Sequence, residues 1–275
     1  FGKAMAAMNG YTAQQSSDLY VTDGDEIDWL YARYRIFTFT FELYPKETGS
    51  VWTNHYPPDE VIPTQTARNR SAILHLIDRA SCPYLDAHLE KRDCGPLYED
   101  FEITRPGWKY NPFGTDTATA AGGSWTRGNP AGTAYNGPKQ LTTTASGQRA
   151  MVTGLAAGSN ASAYDLDGRT TAASPTVTLP ATPGPLSFNY YFAHSSLSTA
   201  ADGFRVYVWD LAASTRTLVY EEKGTSVDDD AAWVSRSVSL SRWASRTVRI
   251  LFVATDAAPY NLVEAAVDDV RIERP

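Results

Sequence analysis

The sequence changes character near Tyr98, and this change constrains the fold more than any single motif does. Beyond it, Gly, Ser, Thr and Ala separate short runs rich in β-branched and aromatic residues, and helical stripes disappear. The clearest runs lie at 176–179, 186–192, 204–209 and 248–253. Short runs of this kind between Pro-Gly, Asp-Gly and Ser-rich turns are typical of an all-β sandwich. We therefore predict a β-sandwich domain over 97–275, which is long enough to bury its own core.

The chain ahead of this change carries helical patterns. Residues 64–80 place apolar side chains on one stripe and charged ones opposite, after a Pro-Thr start signal. The stripe consists of Ala67, Ile73, Leu74, Ile77 and Ala80. On this helix, His75 and Asp78 are expected at the surface rather than as metal ligands. An earlier helix is predicted to end at Asn9, because Asn-Gly follows apolar residues at helical spacing.

Residues 35–43 alternate between aromatic and smaller side chains, which is the period of a β-strand. Neither face carries a charge until Glu42, so the strand is predicted to lie in a sheet covered on both faces. With a strand and helices in one stretch, we expect an α/β fold for 1–96. A carboxylate beside Phe41 and Leu43, where the strand ends, is poorly solvated and suits general acid/base chemistry. The alternative is a structural ion pair at the strand end.

An acidic loop at 19–29 precedes this strand. Its carboxylates suit calcium, although the spacing and the closing Glu of an EF-hand are missing. A second interpretation is a binding loop, in which Tyr20 offers a ring and a hydroxyl, and Asp25 a charge, to a ligand near Glu42. A third is a solvated acidic turn with Trp29 packed into the core.

The two cysteines, Cys82 and Cys94, are separated by a short loop. This spacing indicates one disulfide, and therefore a protein exported to the extracellular space. A metal site built on the two thiols is the poorer alternative.

The charge balance excludes some classes of partner. The formal net charge is -7 and the pI is near 5.1, and the sequence contains no basic run. These features argue against a nucleic acid partner. No apolar run reaches the length needed to span a membrane.

Several short motifs follow one another in order over residues 1–94: SDLY, DGD, DW, FTFE, YPPDEVI, RN and CPY. In this order they resemble the end of the catalytic domain of zinc carboxypeptidases, with carboxypeptidase T and its secreted bacterial relatives the closest likeness. An ordered set of motifs is far more specific than any one of them. The resemblance implies a secreted enzyme with a zinc cofactor that hydrolyses C-terminal residues from peptides and proteins.

The resemblance also implies roles for individual residues. Glu42, the acid that ends FTFE, matches the general base that activates the zinc-bound water. Tyr20 matches the tyrosine that closes over the substrate's C-terminal carboxylate. Leu19 opens the loop that lines the pocket for the C-terminal side chain, and in this loop Asp25 matches the acid that lets carboxypeptidase T accept basic as well as apolar residues. Ile27 falls at the position that determines, in the digestive enzymes, whether apolar or acidic C-terminal residues are preferred.

The zinc ligands of the family, a His-x-x-Glu pair and a later His, are not found in this sequence. None of the four histidines is followed by Glu three residues later: His55, His75, His88 and His194. A catalytic zinc requires such ligands and an open position for water. We therefore expect the ligands, and the arginines that grip the substrate carboxylate, to lie upstream of Phe1. The 275 residues alone are expected to show no peptidase activity and to bind no stoichiometric zinc.

The second part of the chain resembles the jelly-roll or MAM-like accessory modules of secreted bacterial hydrolases. Its ends, 99–102 and 264–272, are predicted to pair. Glu102 and Asp268 would then be neighbours and candidate ligands of a structural calcium ion; the alternative is a pair of ordinary edge charges. Two acidic segments are predicted to be solvated turns: 165–168 and 228–230.

Two functions remain open. The chain is either the C-terminal part of a metallocarboxypeptidase, or a non-catalytic module whose sandwich tethers to carbohydrate or protein surfaces beside a peptidase remnant. The residues immediately before Phe1 separate the two, because only the first function requires His-x-x-Glu and a later His there. The ligand of the sandwich is not identified by the sequence.

Overall fold

The computed structural model describes residues 1–22, 24–45, 55–119, 121–156 and 164–275. The chain divides into two compact units, Phe1–Glu90 and Lys91–Pro275. Helices make up the regular structure of the first unit, and two large antiparallel sheets dominate the second. This order agrees with the predicted fold class, an α/β part followed by an all-β sandwich. The division into domains 1–96 and 97–275 stays a prediction, because compactness alone does not assign a domain.

Short α-helices follow one another in the first part of the chain. They are α1 (Gly2–Asn9), α2 (Ser16–Leu19), α3 (Glu26–Tyr34), α4 (Ile62–Ala67), α5 (Arg70–Arg79) and α6 (Glu90–Asp93). Single 3-10 turns lie at Asp59–Val61 and Leu85–Ala87. The predicted end of α1 is confirmed: Gly10 adopts a left-handed φ of 73°, and its N–H donates to the Ala6 carbonyl.

The helix predicted over 64–80 is divided in two, with α4 and α5 separated at Arg68 and Asn69. The Asn69 side chain is buried, and it accepts a hydrogen bond from Asn9 Nδ2 (3.1 Å) and donates one to Tyr11 Oη (3.2 Å). Arg68 donates from Nε and Nη2 to the Asn9 carbonyl at 2.9 and 2.7 Å. A carbonyl at the end of α1 is thereby satisfied, and the junction between α4 and α5 is held against α1.

α5 packs against α1 through a side other than the predicted apolar stripe. Ala72 is fully buried and His75 is half-buried, whereas the predicted apolar stripe faces solvent. In that stripe, Ile73 is 46% exposed, Leu74 53% and Ile77 65%. The surface position predicted for His75 is wrong, because its ring is half-buried and forms a hydrogen bond with Asp86.

Residues 36–43 do not form a β-strand. A strand requires a neighbouring strand to receive its hydrogen bonds, and the described residues of the first unit contain none. The predicted alternation is still present, since the rings of Phe37 and Phe39 pack on Phe1 with centroids 6.4 and 5.7 Å away. Glu42 belongs to the other, exposed side. The prediction of a strand covered on both faces is therefore wrong for this chain.

The second unit is built from fourteen short and long strands assigned among the described residues. They are β1 (Leu97–Glu99), β2 (Lys109–Tyr110), β3 (Thr126–Gly128), β4 (Thr133–Ala134), β5 (Pro138–Gln140), β6 (Ala150–Val152), β7 (Gly168–Ala173), β8 (Val177–Thr178), β9 (Leu186–His194), β10 (Gly203–Asp210), β11 (Thr215–Lys223), β12 (Val234–Val238), β13 (Thr247–Asp256) and β14 (Val263–Ile272). One sheet has the order β12-β9-β14-β6-β3, with β1 also paired to β14. The other has the order β11-β10-β13-β7-β2, with β8 also paired to β13, and β4 and β5 form a separate hairpin.

This arrangement confirms the predicted sandwich. The four runs read from the sequence correspond to β8, β9, β10 and β13. The predicted pairing of the two ends of the module is confirmed in part. β1 lies antiparallel to β14 with Leu97 opposite Ile272 and Glu99 opposite Val270, so within the predicted segment 99–102 Glu99 alone is paired.

Aromatic side chains from both sheets fill the space between them. Tyr190 of β9 stacks on Phe204 of β10 with centroids 4.8 Å apart, and Phe188 of β9 meets Phe252 of β13 edge-on at 5.6 Å. All four are buried. Trp125 adds a ring whose Nε1 donates to the Phe252 carbonyl at 3.2 Å. The sandwich thus has a continuous core of its own.

Two further predictions can be compared with the structure. Cys82 and Cys94 are both disulfide-bonded, which confirms the predicted disulfide. Among the helices that the structure describes, none has the length and apolar character needed to cross a membrane.

Candidate functional site

The start of α3 brings together two of the predicted site residues. Asp25 is the N-cap of this helix, and its Oδ1 accepts a hydrogen bond from the Ile27 backbone N–H at 2.7 Å. Both side chains are half-buried. The Ile27 carbonyl accepts a hydrogen bond from Thr38 Oγ1 at 3.3 Å. The predicted pocket loop is therefore held beside the segment 36–43 that ends near Glu42.

Leu19 and Tyr20 lie where α2 ends. Tyr20 has an extended backbone, and its N–H donates to the Ser16 carbonyl. The Leu19 side chain is 54% exposed and that of Tyr20 is 60% exposed. Both are thus accessible to a ligand, as their predicted roles require. Asp23 of the DGD motif lies outside the described residues.

Glu42 is exposed on the open side of the segment 36–43. The poor solvation predicted from its neighbours Phe41 and Leu43 is absent, because Phe41 turns its ring toward Tyr11 with centroids 6.2 Å apart, and Leu43 is itself 66% exposed. Within the described residues, Glu42 shares no hydrogen bond or ion pair with Tyr20 or Asp25. The structure therefore places the three side chains in one unit without joining them in a common network.

Asp86 forms the centre of a polar cluster beside α5, in which His75 and Arg79 take part. His75 Nε2 lies 2.9 Å from Asp86 Oδ2, and Arg79 Nε lies 3.1 Å from Asp86 Oδ1. The hydrogen bond with His75, followed by that with Arg79, holds the pKa of Asp86 below its ordinary value. This cluster has one carboxylate and one imidazole, so it does not provide the ligand set of a catalytic zinc.

The described residues do not provide the ligands of a zinc ion. No group of three or more His, Cys, Asp or Glu side chains suited to a metal ion occurs in the part of the chain that the structure describes. His194, the histidine of the sandwich, is buried in β9 with its Nδ1 3.0 Å from the Ser195 carbonyl.

Glu102 and Asp268 contact the same loop of the sandwich, although Glu102 lies in the bend that follows β1 and Asp268 belongs to β14. Asp268 Oδ2 accepts hydrogen bonds from the backbone N–H groups of Ala145 and Ser146, both at 3.0 Å. Glu102 Oε1 accepts from the N–H groups of residues 148 and 149 at 2.8 and 2.7 Å. N–H groups do not ligate cations, so the contacts give both carboxylates a structural role. Calcium binding by this pair stays a prediction.

Buried acids at one end of the sandwich were not anticipated from the sequence. Asp165 is 4% exposed, which corrects the prediction that 165–168 is a solvated turn, and Asp256 is fully buried. Burial raises the pKa of Asp165 to about 7. For Asp256, burial and the nearby charges of Asp202 and Asp165 raise the pKa to about 8. Asn261 satisfies Asp256 with its backbone N–H (2.9 Å) and its Nδ2 (3.0 Å).

The second predicted solvated turn, 228–230, exposes Asp229 and Asp230 as expected, but it also binds a buried lysine. Lys139 of β5 is fully buried, and its Nζ lies 2.6 Å from Asp228 Oδ2 and 2.7 Å from Asp230 Oδ1. The ammonium group also donates to the Asp229 carbonyl at 2.9 Å. A lone lysine in a polar hairpin gives no sequence signal for this role, since its partners lie about ninety residues away.

Comparison with known proteins supports the resemblance to zinc carboxypeptidases. No protein-family model matches the chain. A zinc carboxypeptidase from Saccharothrix mutabilis subsp. capreolus is 47% identical over 81 residues, which cover 30% of this chain and 18% of that protein. The resemblance drawn from the ordered motifs is thereby confirmed. The chain spans less than a fifth of the length of this relative, so the activity of the relative is not established for it.

Solved structures of sandwich modules are similar to this chain at low identity. The K1 cleaved adhesin domain of Lys-gingipain from Porphyromonas gingivalis W83 is 20% identical, with 65% of this chain and 98% of that domain covered and a TM-score of 0.43. The CBM22-1–GH10 modules of Clostridium thermocellum xylanase 10B are 17% identical, with 66% and 28% covered and a TM-score of 0.34.

The raised pKa values predict that the sandwich is less stable in mild alkali than in mild acid. Glu99, Asp165 and Asp268 have a pKa of about 7 and Asp256 of about 8, in each case chiefly through burial. The stability that these groups contribute is fully present below their unfolded pKa near 4, and is lost as pH rises through 7 to 8. Each proton held only by the folded state gives a slope of about 1.4 kcal/mol per pH unit.

Urea unfolding of the full chain at pH 5.5, 6.5, 7.5 and 8.5 measures this slope. The free energy of unfolding of the sandwich should fall across the series. Asp256→Asn should flatten the slope, and the control Asp229→Asn, at an exposed residue, should not. A stability that is constant or rises with pH would contradict the assignment.

Proposed function

We propose that this chain is the C-terminal part of a secreted zinc metallocarboxypeptidase that removes C-terminal residues from peptides and proteins, followed by a β-sandwich accessory module. The observation that supports this most strongly is the 47% identity to a zinc carboxypeptidase over 81 residues, a level that random similarity does not reach. The ordered motifs from SDLY to CPY support the same conclusion.

In this proposal, Glu42 is the general base. Hydrolysis of a peptide bond requires a group that takes a proton from the attacking water and makes it available to the leaving amine, and a carboxylate can do both. Glu42 is exposed on the open side of the segment 36–43, where a substrate and a water molecule can approach it.

The remaining roles concern substrate binding. Tyr20 is proposed to cap the C-terminal carboxylate, which suits an exposed phenol at the end of a helix. Leu19, Asp25 and Ile27 are proposed to line the pocket for the C-terminal side chain. Asp25 Oδ1 already accepts the Ile27 N–H, so the helix cap fixes the carboxylate in place before any ligand arrives.

Zinc is part of the proposed enzyme, but its ligands are not among the described residues of this chain. They are proposed to lie in the part of the enzyme ahead of this segment, together with the arginines that grip the substrate carboxylate. The 275 residues are accordingly proposed to be inactive alone. Calcium in the sandwich remains a secondary proposal for Glu102 and Asp268.

Secretion is proposed from the disulfide of Cys82 and Cys94. Disulfides persist in oxidising compartments and are rare in the cytosol. The acidic net charge of -7 is compatible with an extracellular protein, and it disfavours a nucleic acid partner.

Substitution of the proposed base tests the function directly. In the complete enzyme, Glu42→Gln is expected to lower kcat by about 10²–10⁴-fold, because a general base contributes that much and the amide cannot accept the proton. Bound zinc, measured by atomic absorption, should be unchanged. Glu60→Gln, on the exposed 3-10 turn, serves as the control with near-normal activity. Full activity in Glu42→Gln would exclude Glu42 as the base.

Substitutions of Asp25 separate the effect of its charge on specificity from its role as the N-cap of α3. Asn caps helices about as well as Asp, so Asp25→Asn should preserve stability while reducing kcat/KM for substrates that end in Lys or Arg, with little change for those that end in Leu. Asp25→Ala should show the same loss and also destabilise the fold by about 0.5–2 kcal/mol. If the ratio of basic to apolar kcat/KM is unchanged in Asp25→Asn, then Asp25 does not determine specificity.

A further inference from the structure

One sheet of the sandwich, β11-β10-β13-β7-β2, carries aromatic and cationic side chains on the face that points away from the core. Along β10, the fully buried core residues Phe204 and Val206 alternate with Arg205, Tyr207 and Trp209, which are half-buried. Because successive side chains of a strand point to opposite faces, the second set lies on the outer face of this sheet.

Tyr207 and Trp209 form an aromatic platform at the centre of the outer face. Phe113 lies beside Trp209 with ring centroids 5.0 Å apart. Leu218 of β11 stands opposite Tyr207 and is 44% exposed. On β13, Leu251 is paired with Tyr207 and is 1% exposed, although it alternates with core residues. The rings and their neighbours therefore cover the strand beneath them and remain partly open to a ligand.

The polar atoms of the platform have no partner among the residues that the structure describes. Neither Trp209 Nε1 nor Tyr207 Oη forms a hydrogen bond within that part of the chain. The buried indole of Trp125, by contrast, donates from Nε1 to the Phe252 carbonyl at 3.2 Å. A half-buried ring that keeps a free polar atom is suited to a ligand with both apolar and hydroxyl surface.

Two arginines flank the platform and keep their charge. Arg216 on β11 and Arg249 on β13 stand opposite Trp209. The Arg216 guanidinium lies over the Phe113 ring, 4.5 Å from its centroid, and Arg249 Nη1 donates to the Gly107 carbonyl at 3.1 Å. Neither arginine forms an ion pair with a described residue. A guanidinium has five N–H donors, so both side chains retain donors for an anion.

Cations outnumber carboxylates on the outer face. Arg205 is neutralised by Glu221, whose Oε1 lies 2.7 Å from the arginine Nε. Asp116 accepts hydrogen bonds from the backbone N–H and Oγ1 of Thr171 at 2.6 and 2.7 Å. Lys109 of β2 adds a further exposed cation. Since the whole chain has a net charge of -7, this face is a local cationic exception that attracts anionic ligands.

We infer that the outer face binds an acidic polysaccharide, a chain of sugar units that carry carboxylate or sulfate groups. The rings of Tyr207 and Trp209 contact the C–H faces of the sugar units, and their Oη and Nε1 bind hydroxyl groups. Arg216 and Arg249 bind the acid groups, because a guanidinium can hold an oxyanion through two N–H groups at once.

The position of the platform favours a polysaccharide over an acidic peptide. An extended peptide adds to a strand edge, whereas Tyr207 and Trp209 stand on an interior strand. The two residues are about 7 Å apart along β10, so a ligand several sugar units long contacts both rings. The inference concerns the sandwich and does not rest on the proposed function of the first unit.

Isothermal titration calorimetry of the full 275-residue chain tests the inference. The probes are hexagalacturonate, which carries carboxylates, sulfated dextran, which carries sulfates, and neutral dextran. Arg216→Gln removes one charge from the outer face. Arg242→Gln is its matched control, because Arg242 is also exposed and lies over a ring, that of Trp243, at 5.6 Å. Tyr207→Ala removes one ring of the platform, and Tyr135→Ala, at a hairpin residue that is 51% exposed, is its control.

We expect at least one acidic probe to bind the wild-type chain and both controls, with an affinity that falls as salt is added, and neutral dextran not to bind. Arg216→Gln should weaken binding by about tenfold or more, since a hydrogen bond between charged groups is worth at least that factor. Because Arg216 is exposed, thermal melting of this variant should match the wild type. Tyr207→Ala should also bind more weakly at temperatures below its own melting transition.

Equal binding by Arg216→Gln and Arg242→Gln, or no binding of either acidic probe, would overturn the inference. Wild-type affinity in folded Tyr207→Ala would overturn it as well, because the ring would then not contact the sugar. Binding of poly-glutamate as tight as that of hexagalacturonate would replace the polysaccharide with an acidic peptide. Binding of phosphatidylserine vesicles without binding of either acidic polysaccharide would replace it with an anionic membrane surface.

Discussion

The structure depends on the aromatic contact between the two sheets of the sandwich. Tyr190 stacks on Phe204 at 4.8 Å and Phe188 meets Phe252 at 5.6 Å, so side chains from β9 join the sheet of β10 and β13. Burial of rings this large supplies much of the driving force for a domain of this size. The stability that this core provides offsets the free-energy cost of burying the polar side chains of Lys139 and Asp256 in the second unit.

The first unit has no equivalent layer, and its chemistry explains why. Its helices are joined by polar contacts, such as those of Asn69 with Asn9 and of Asp86 with His75, more than by apolar burial. Several large apolar residues of α3 and α5 are exposed, among them Trp29, Leu74 and Ile77. The proposed catalytic base, Glu42, lies on the same open side of the unit as the exposed residues of 36–43.

Local signals in the sequence predicted local structure well. Gly10 ends α1 because it can adopt a left-handed φ, and the alternating runs of the sandwich became β9, β10 and β13. The face of α5 and the strand at 36–43 were predicted wrongly, since periodicity reveals an apolar stripe but not whether a neighbour is present to cover it. The burial of Asp165, Asp256 and Lys139 could not be predicted, because it arises where segments distant in sequence meet. The strand end that first indicated Glu42 is not observed, so the proposed roles of Glu42 and Tyr20 rest on the ordered motifs.

Hydrogen exchange of the full chain, followed by mass spectrometry, tests most directly whether the sandwich is more stable than the first unit. Amide protection reports the free energy of local opening. We expect strong protection in β13 (Thr247–Asp256) and β9, and fast exchange in α3 and α5, which bury little apolar surface. Protection in α5 equal to that in β13 would contradict this expectation, because the first unit would then be as stable as the sandwich.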